Sequence, residues 1–139
     1  MPTLQLRISP PQDQRRYLSL ATELTAITAE MLGKRPEVTA VMIEELPVAR
    51  WFVGAMQVQR PTAWLEISVT AGTNTSAQKA AFIEAAYAVL QRQLGAGQPL
   101  ENASYVIVRE LPAGDWGYGG RTQQARQRSR AVESGEMIE

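Results

Sequence analysis

The chain repeats itself. Glu45-Leu46-Pro47 recurs as Glu110-Leu111-Pro112, Trp51 as Trp116 and Gly54 as Gly119, all at one offset. Upstream, Leu20 aligns with Phe82, Ala21 with Ile83 and Gly33 with Gly95; Leu6 aligns with Ile67 and Ile8 with Val69. The offsets drift by a few residues, as loop insertions would cause. A tandem repeat restricts the fold, because both halves must adopt one supersecondary unit and bury its apolar face together.

Each half reads as strand, helix, strand. In the first, Leu4, Leu6 and Ile8 alternate with Gln5 and Arg7, the period of a strand. Ser9-Pro10-Pro11 ends it, and Asp13 is placed to cap a helix over about 14 to 32. Leu20, Leu24, Ile27 and Met31 give that helix one apolar face, and Gly33 and Pro36 stop it. A strand follows from Val38 to Leu46, closed by Pro47, and then a short apolar piece from Arg50 to Gly54.

In the second half, Trp64, Leu65, Ile67 and Val69 make a strand. Ser76 is expected to cap a helix to about Leu94, with Phe82, Ile83, Ala86, Val89 and Leu90 inward. Ser104 to Leu111 is the last long strand, and Asp115 to Gly120 repeats the short piece.

A helix-length crossover lets the two strands of a half lie parallel, with a right-handed connection. The expected architecture is therefore α/β: two tandem β-α-β units forming a four-stranded sheet with both helices on one face. It is read as a single domain over 1–139, with repeat one at about 2–56, repeat two at about 62–120 and a polar tail at 121–139. The tail shows no clear period: it is read as a solvated or disordered end, or as a segment wrapping a neighbouring subunit. The second sheet face is expected to be apolar and uncovered, which predicts association.

Composition removes several classes of function. Of 139 residues, 45% are hydrophobic, enough for a core. Lys plus Arg is 14 and Asp plus Glu is 14, so the excess positive charge of a generic nucleic-acid binder is missing. With no Cys and no His, thiol chemistry, His-based triads and a zinc site lack their ligands. No apolar run approaches membrane-spanning length, and no signal pattern opens the chain, so a soluble cytoplasmic protein is expected. Acid–base chemistry then falls to carboxylates, Lys, Tyr or a terminal amine.

Pro2 bears on that last option. A start Met followed by a small residue is normally removed, which would leave a proline N-terminus. A secondary amine at the head of a central strand is held in place. Desolvation and nearby cations lower its pKa, because both disfavour the ammonium. A base poised near neutral pH suits proton abstraction beside a carbonyl. A proline at this position also simply begins a strand.

The Met-Pro start, the β-α-β units and the Glu-Leu-Pro…Trp-(x)-(x)-Gly element together resemble the tautomerase superfamily, and 4-oxalocrotonate tautomerase in particular. The stretch Arg109 to Gly120 is the better match of the two. Members made of two fused units assemble as trimers, so the resemblance implies a homotrimer with its sheets facing inward as a barrel. It implies Pro2 as general acid/base for keto–enol proton transfer on a small, carboxylate-bearing carbonyl substrate. No metal or organic cofactor is implied, and no nucleic-acid or membrane partner.

The family's pocket aromatic falls on Trp51, with Trp116 as its repeat partner. Its two arginines fall on Gln12 or Thr73 and on Ala40 or Tyr105, none of them basic. Arg7, Arg50 and Arg109 are candidates to replace them, and Tyr105 to donate to an enolate. Each also reads as an ordinary surface or core residue. Asp115 precedes Trp116 roughly where dehalogenases of the family carry a water-activating carboxylate, and it also suits a turn. Dehalogenase or decarboxylase chemistry, or a non-catalytic trimeric protein, is the alternative.

Overall fold

The alternation at the start of the chain becomes the first strand of a four-stranded sheet, β1 (Thr3–Ser9). The computed structural model describes residues 1–133 and 135. After β1 come α1 (Gln14–Leu32), β2 (Ala40–Glu45), the short strands β3 (Phe52–Val53) and β4 (Met56–Gln57), and β5 (Thr62–Thr70). The chain continues through α2 (Ser76–Leu94), β6 (Tyr105–Leu111), β7 (Gly117–Tyr118), β8 (Arg121–Thr122) and α3 (Gln123–Glu133). Strand order is β2-β1-β5-β6. β1 pairs parallel with β2, and β5 with β6, while the two central strands run antiparallel. Each half is the expected β-α-β unit, and β3-β4 and β7-β8 are the two hairpins.

The core lies between one sheet face and the two long helices. Leu4, Leu6 and Ile8 meet Leu65, Ile67 and Val69 from the sheet, and Leu20, Leu24, Phe82, Ala86 and Leu90 from the helices. The helices are also tied by polar groups. Glu23 accepts from Arg92 and, at 2.6 Å, from the buried Gln93 amide.

Both helices begin and end for local reasons. Asp13 caps α1 by accepting from Arg16 N at 2.9 Å, and Gly33 ends it in the left-handed conformation that glycine tolerates. In α2 the cap is Thr75, not Ser76. Thr75 and Gln78 form a reciprocal capping box, and Ser76 becomes the first helical residue.

The helix faces also differ in part from the expected ones. α1 buries Thr28 and Leu32 beside Leu20 and Leu24, leaving Ile27 and Met31 half-buried. Thr28 is tolerated inside because its hydroxyl donates to Leu24 O at 2.7 Å. In α2, Ile83 is 39% exposed, whereas Gln93 and Leu94 are buried. The second strand of the first half is shorter than expected, because a 3-10 turn takes up Pro36–Val38.

The other sheet face is not apolar. By strand alternation it carries Met42, Trp64, Tyr105 and Ile107, together with Gln5, Arg7, Glu66, Ser68 and Arg109. Arg7 Nε sits 3.0 Å from Glu44 Oε1 across β1 and β2, and the Trp64 and Tyr105 rings lie 5.5 Å apart across β5 and β6. Of the tail, Gln123–Glu133 forms α3, which packs on its own chain, while 134 and 136–139 lie outside the described residues. Among the described residues, no helix is long and apolar enough to cross a membrane.

The two positions aligned with Leu20 and Ala21, Phe82 and Ile83, provide a test. Phe82→Ala is expected to cost about 3–5 kcal/mol, since it empties a fully buried site. Ile83→Ala is expected to cost under about 1 kcal/mol, because the side chain is half outside. Chemical denaturation at one protein concentration measures both, and equal losses would contradict this packing.

Candidate active site

Pro2 is buried at one end of the sheet. The register Thr3↔Ser68 brings it beside the last residues of β5, and its carbonyl accepts from Ala40 N at 3.1 Å. The structure retains Met1, so the free amine here belongs to Met1 and the Pro2 nitrogen is an amide. A cavity of about 240 Å³ opens over both residues.

Its walls come from three parts of the chain. The turn after α1 supplies Lys34 and Arg35, the end of β5 supplies Thr70 and Thr73, and the second hairpin with α3 supplies Trp116, Tyr118, Gln127 and Arg130. Among the described residues, three cationic side chains line it and no Asp or Glu does. The electrostatic consequence is visible at the amine. Burial lowers the Met1 amine below its ordinary pKa, followed by the charges of Lys34, Arg130, Arg35 and Arg126. Burial likewise holds the Lys34 ammonium below its usual range.

Each wall residue has a local reason for its position. Lys34 and Arg35 follow the glycine stop of α1, where cations complement the helix dipole. Lys34 Nζ donates to Thr73 Oγ1 at 2.9 Å, and that hydroxyl donates to Thr70 O at 2.6 Å. Thr73 is one of the positions where the resemblance would put an arginine, and the cation arrives there from the other half of the chain. Trp116 is fixed by its indole N–H, which donates to Thr70 Oγ1 at 3.2 Å. The hairpin that carries it needs a glycine at position 117, since a Cβ there would lie 2.0 Å from Arg121 O.

Of the residues singled out from the sequence, this pocket gathers Pro2 and Trp116. Arg50 and Trp51 follow β2, beyond the Ile8 end of β1 and away from Pro2. Tyr105 pairs with Trp64 at that same far end, and is 53% exposed. Arg109 is nearer, in register with Ser68, but lies exposed on the open sheet face. Arg7 is paired with Glu44. Asp115 is a turn residue outside the Pro2 cavity, its N–H donating to Pro112 O at 2.9 Å.

Sequence reasoning missed Lys34, Arg35, Tyr118 and Arg130. One signal was present: Gly33 and Gly95 align, yet Lys34-Arg35 follows the first and Ala96-Gly97 the second. The repeat is broken where charge is needed. For α3 the signal was the helical spacing of Gln123, Gln127 and Arg130, which is polar and so gives no apolar period. Among the described residues, no group of three or more Asp or Glu is placed to hold a metal.

Comparison with known proteins agrees with this geometry. The Tautomerase family, described as tautomerase enzyme, matches residues 64–126. Native fused 4-OT is 28% identical with a TM-score of 0.77, covering 91% of this chain and 99% of its own. A wild-type fused 4-OT solved as an asymmetric trimer is 27% identical with a TM-score of 0.78, covering 89% and 98%. A more distant structure, Pt0534 inactivated by 2-oxo-3-pentynoate, shares the fold at 18% identity and a TM-score of 0.78, covering 89% and 98%. Among curated proteins, none matches the sequence. The second half matches the tautomerase model and the whole chain is similar in fold to fused 4-OT, so the chain resembles the fused two-unit members of the tautomerase superfamily.

Proposed function

We propose that the protein is a tautomerase in which Pro2, freed by removal of Met1, is the general acid/base. The observation that carries this is the position of Pro2: buried, in the wall of a cavity that, among the described residues, is lined by three cations and no carboxylate. Burial and surrounding charge keep an amine there neutral, and so able to accept a proton. The amine takes a proton from the carbon beside a carbonyl, the C–H electron pair passes into the enolate, and the proton returns at the other end of the system. The positive lining stabilises the charge that develops on oxygen. Trp116 and Tyr118 form an apolar wall that excludes water.

A dehalogenase or decarboxylase that activates water would need a carboxylate at this cavity. Asp115 supports that reading poorly, because it is held in a turn outside. Arg50, Trp51 and Tyr105 lie at the far end of the sheet, so they would serve a Pro2 site only in a neighbouring chain.

We extend the proposal to a homotrimer. The fused 4-OT solved as an asymmetric trimer supports it, as do the exposed Phe52 and Met56 on the first hairpin. The mixed open sheet face suits a polar barrel interior better than a dry contact. Light scattering is expected to give the mass of three chains, and a monomer at working concentration would refute this assembly.

Ketonisation of phenylenolpyruvate tests the base, with the N-terminus verified by intact mass. Pro2→Ala is expected to lower kcat/KM about 100-fold or more. In the wild type, kcat/KM should rise with pH along one limb and level off. That limb lies below the range of a free α-amine, because the unprotonated form is active and the site lowers its pKa. Lys34→Gln removes one of the cations and should move the limb to higher pH. No rate above buffer for the processed protein would sink the reading.

2-Oxo-3-pentynoate offers a second, direct probe. A neutral amine adds across its activated alkyne with no leaving group. The expected product is heavier by one reagent, with the label on the Pro2 peptide. Labelling elsewhere, or none, would count against a reactive N-terminal amine.

A further inference from the structure

The last helix is joined to the pocket by more contacts than a trailing segment needs. Gln123, Gln127 and Arg130 recur at helical spacing and all line the Pro2 cavity. The start of the helix is tied to the second hairpin: Gln123 N donates to Trp116 O at 2.9 Å, and Gln124 N to Ala113 O at 2.9 Å. One turn on, Arg126 reaches back to the same hairpin. Its guanidinium lies 3.8 Å from the Tyr118 ring centroid and donates to Tyr118 O at 2.8 Å. Arg121 Nη2 closes the other side by donating to Ser129 Oγ at 2.7 Å.

The Arg130 side chain, by contrast, has no hydrogen bond or ion pair with any described residue, although it lines the cavity. Lys34 has only a neutral hydroxyl as partner. Arg35 is committed, with Nε 2.9 Å from Glu37 Oε1. Two cations without a carboxylate partner among the described residues therefore line one cavity, one from the end of α1 and one from α3. Like charges brought together without a counter-ion are unfavourable unless an anion joins them.

From this we infer that Arg130, carried on the last helix of the same chain, is a substrate-binding residue which, with Lys34, holds the carboxylate of an anionic carbonyl substrate over Pro2. Arg126 is a positioning residue: by clamping the helix to Tyr118 it sets where Arg130 stands. The inference rests on the proposed Pro2 site, and it replaces the absent strand arginines with cations from two other elements.

The test separates binding from turnover. Ligand-observed NMR titration compares 2-oxopentanoate with 2-pentanone, which lacks only the carboxylate. Arg130→Gln is expected to weaken the oxo acid roughly tenfold or more and to leave the ketone unchanged. Equal binding of the oxo acid to wild type and Arg130→Gln would overturn the assignment. So would parallel loss of both ligands, which would mark a structural role.

Arg126→Gln is expected to raise KM for phenylenolpyruvate with kcat little changed, and Arg126→Lys, which keeps a cation over the ring, to restore most of it. A fall in kcat alone, or no rescue by lysine, would overturn the positioning role. Wild type that binds the oxo acid but turns nothing over would defeat the tautomerase reading and leave the anion clamp standing. Wild type that turns over and is matched by Arg130→Gln would do the reverse.

Discussion

The antiparallel pairing of β1 with β5 is the constraint on which the rest depends. It joins two β-α-β units into one sheet and puts both strands at its centre, where their apolar residues are covered by the helices. The register also places Pro2. With Thr3 opposite Ser68, the head of the chain lies beside the end of β5 and the hairpin that follows β6. A slip of one residue would turn Leu4, Leu6 and Ile8 outward, so the core enforces the register and the register positions the site.

The two halves share a scaffold but not an environment. In each, the repeated glutamate before Leu-Pro meets the first turn of its own helix. Glu45 accepts from the Tyr17 hydroxyl and Glu110 pairs with Lys79 Nζ at 2.7 Å. The hairpins then diverge. The second is covered by α3 through Arg126 and Tyr118, while the first leaves Phe52 and Met56 exposed. Lys34-Arg35 has no cationic counterpart after Gly95. Charge and an added helix have specialised one end of a nearly symmetric sheet.

Among the described residues only Arg35 of the cavity's three cations meets a carboxylate, so gathering them is costly for the empty protein. The cost is tolerable where a rigid core supports it. The neighbouring Thr70 and Thr73 offer oxygen partners, which ease the burial of Lys34 and Trp116 without cancelling charge. Burial first, and then the same charges, lower the Met1 amine below its ordinary pKa.

By itself the sequence determined the repeat, the β-α-β units, most helix boundaries and the position of Pro2 at the head of a central strand. These follow from local periodicity, glycine and proline stops, and chain order. It placed Ile83 inward because helical spacing sets only the approximate direction of a face, and the true face is decided by which side the sheet covers. It gave no period for the tail because α3 is held by Arg126, Arg121 and Gln123 rather than by an apolar stripe. Tertiary structure alone decided that Trp116, and not Trp51, faces Pro2 within the chain, since antiparallel central strands carry the second hairpin to that end. It also decided that the pocket's cations are Lys34, Arg35 and Arg130. Lys34-Arg35 and Arg130 are far apart in sequence, and a charge has no periodicity that says which cavity it will share.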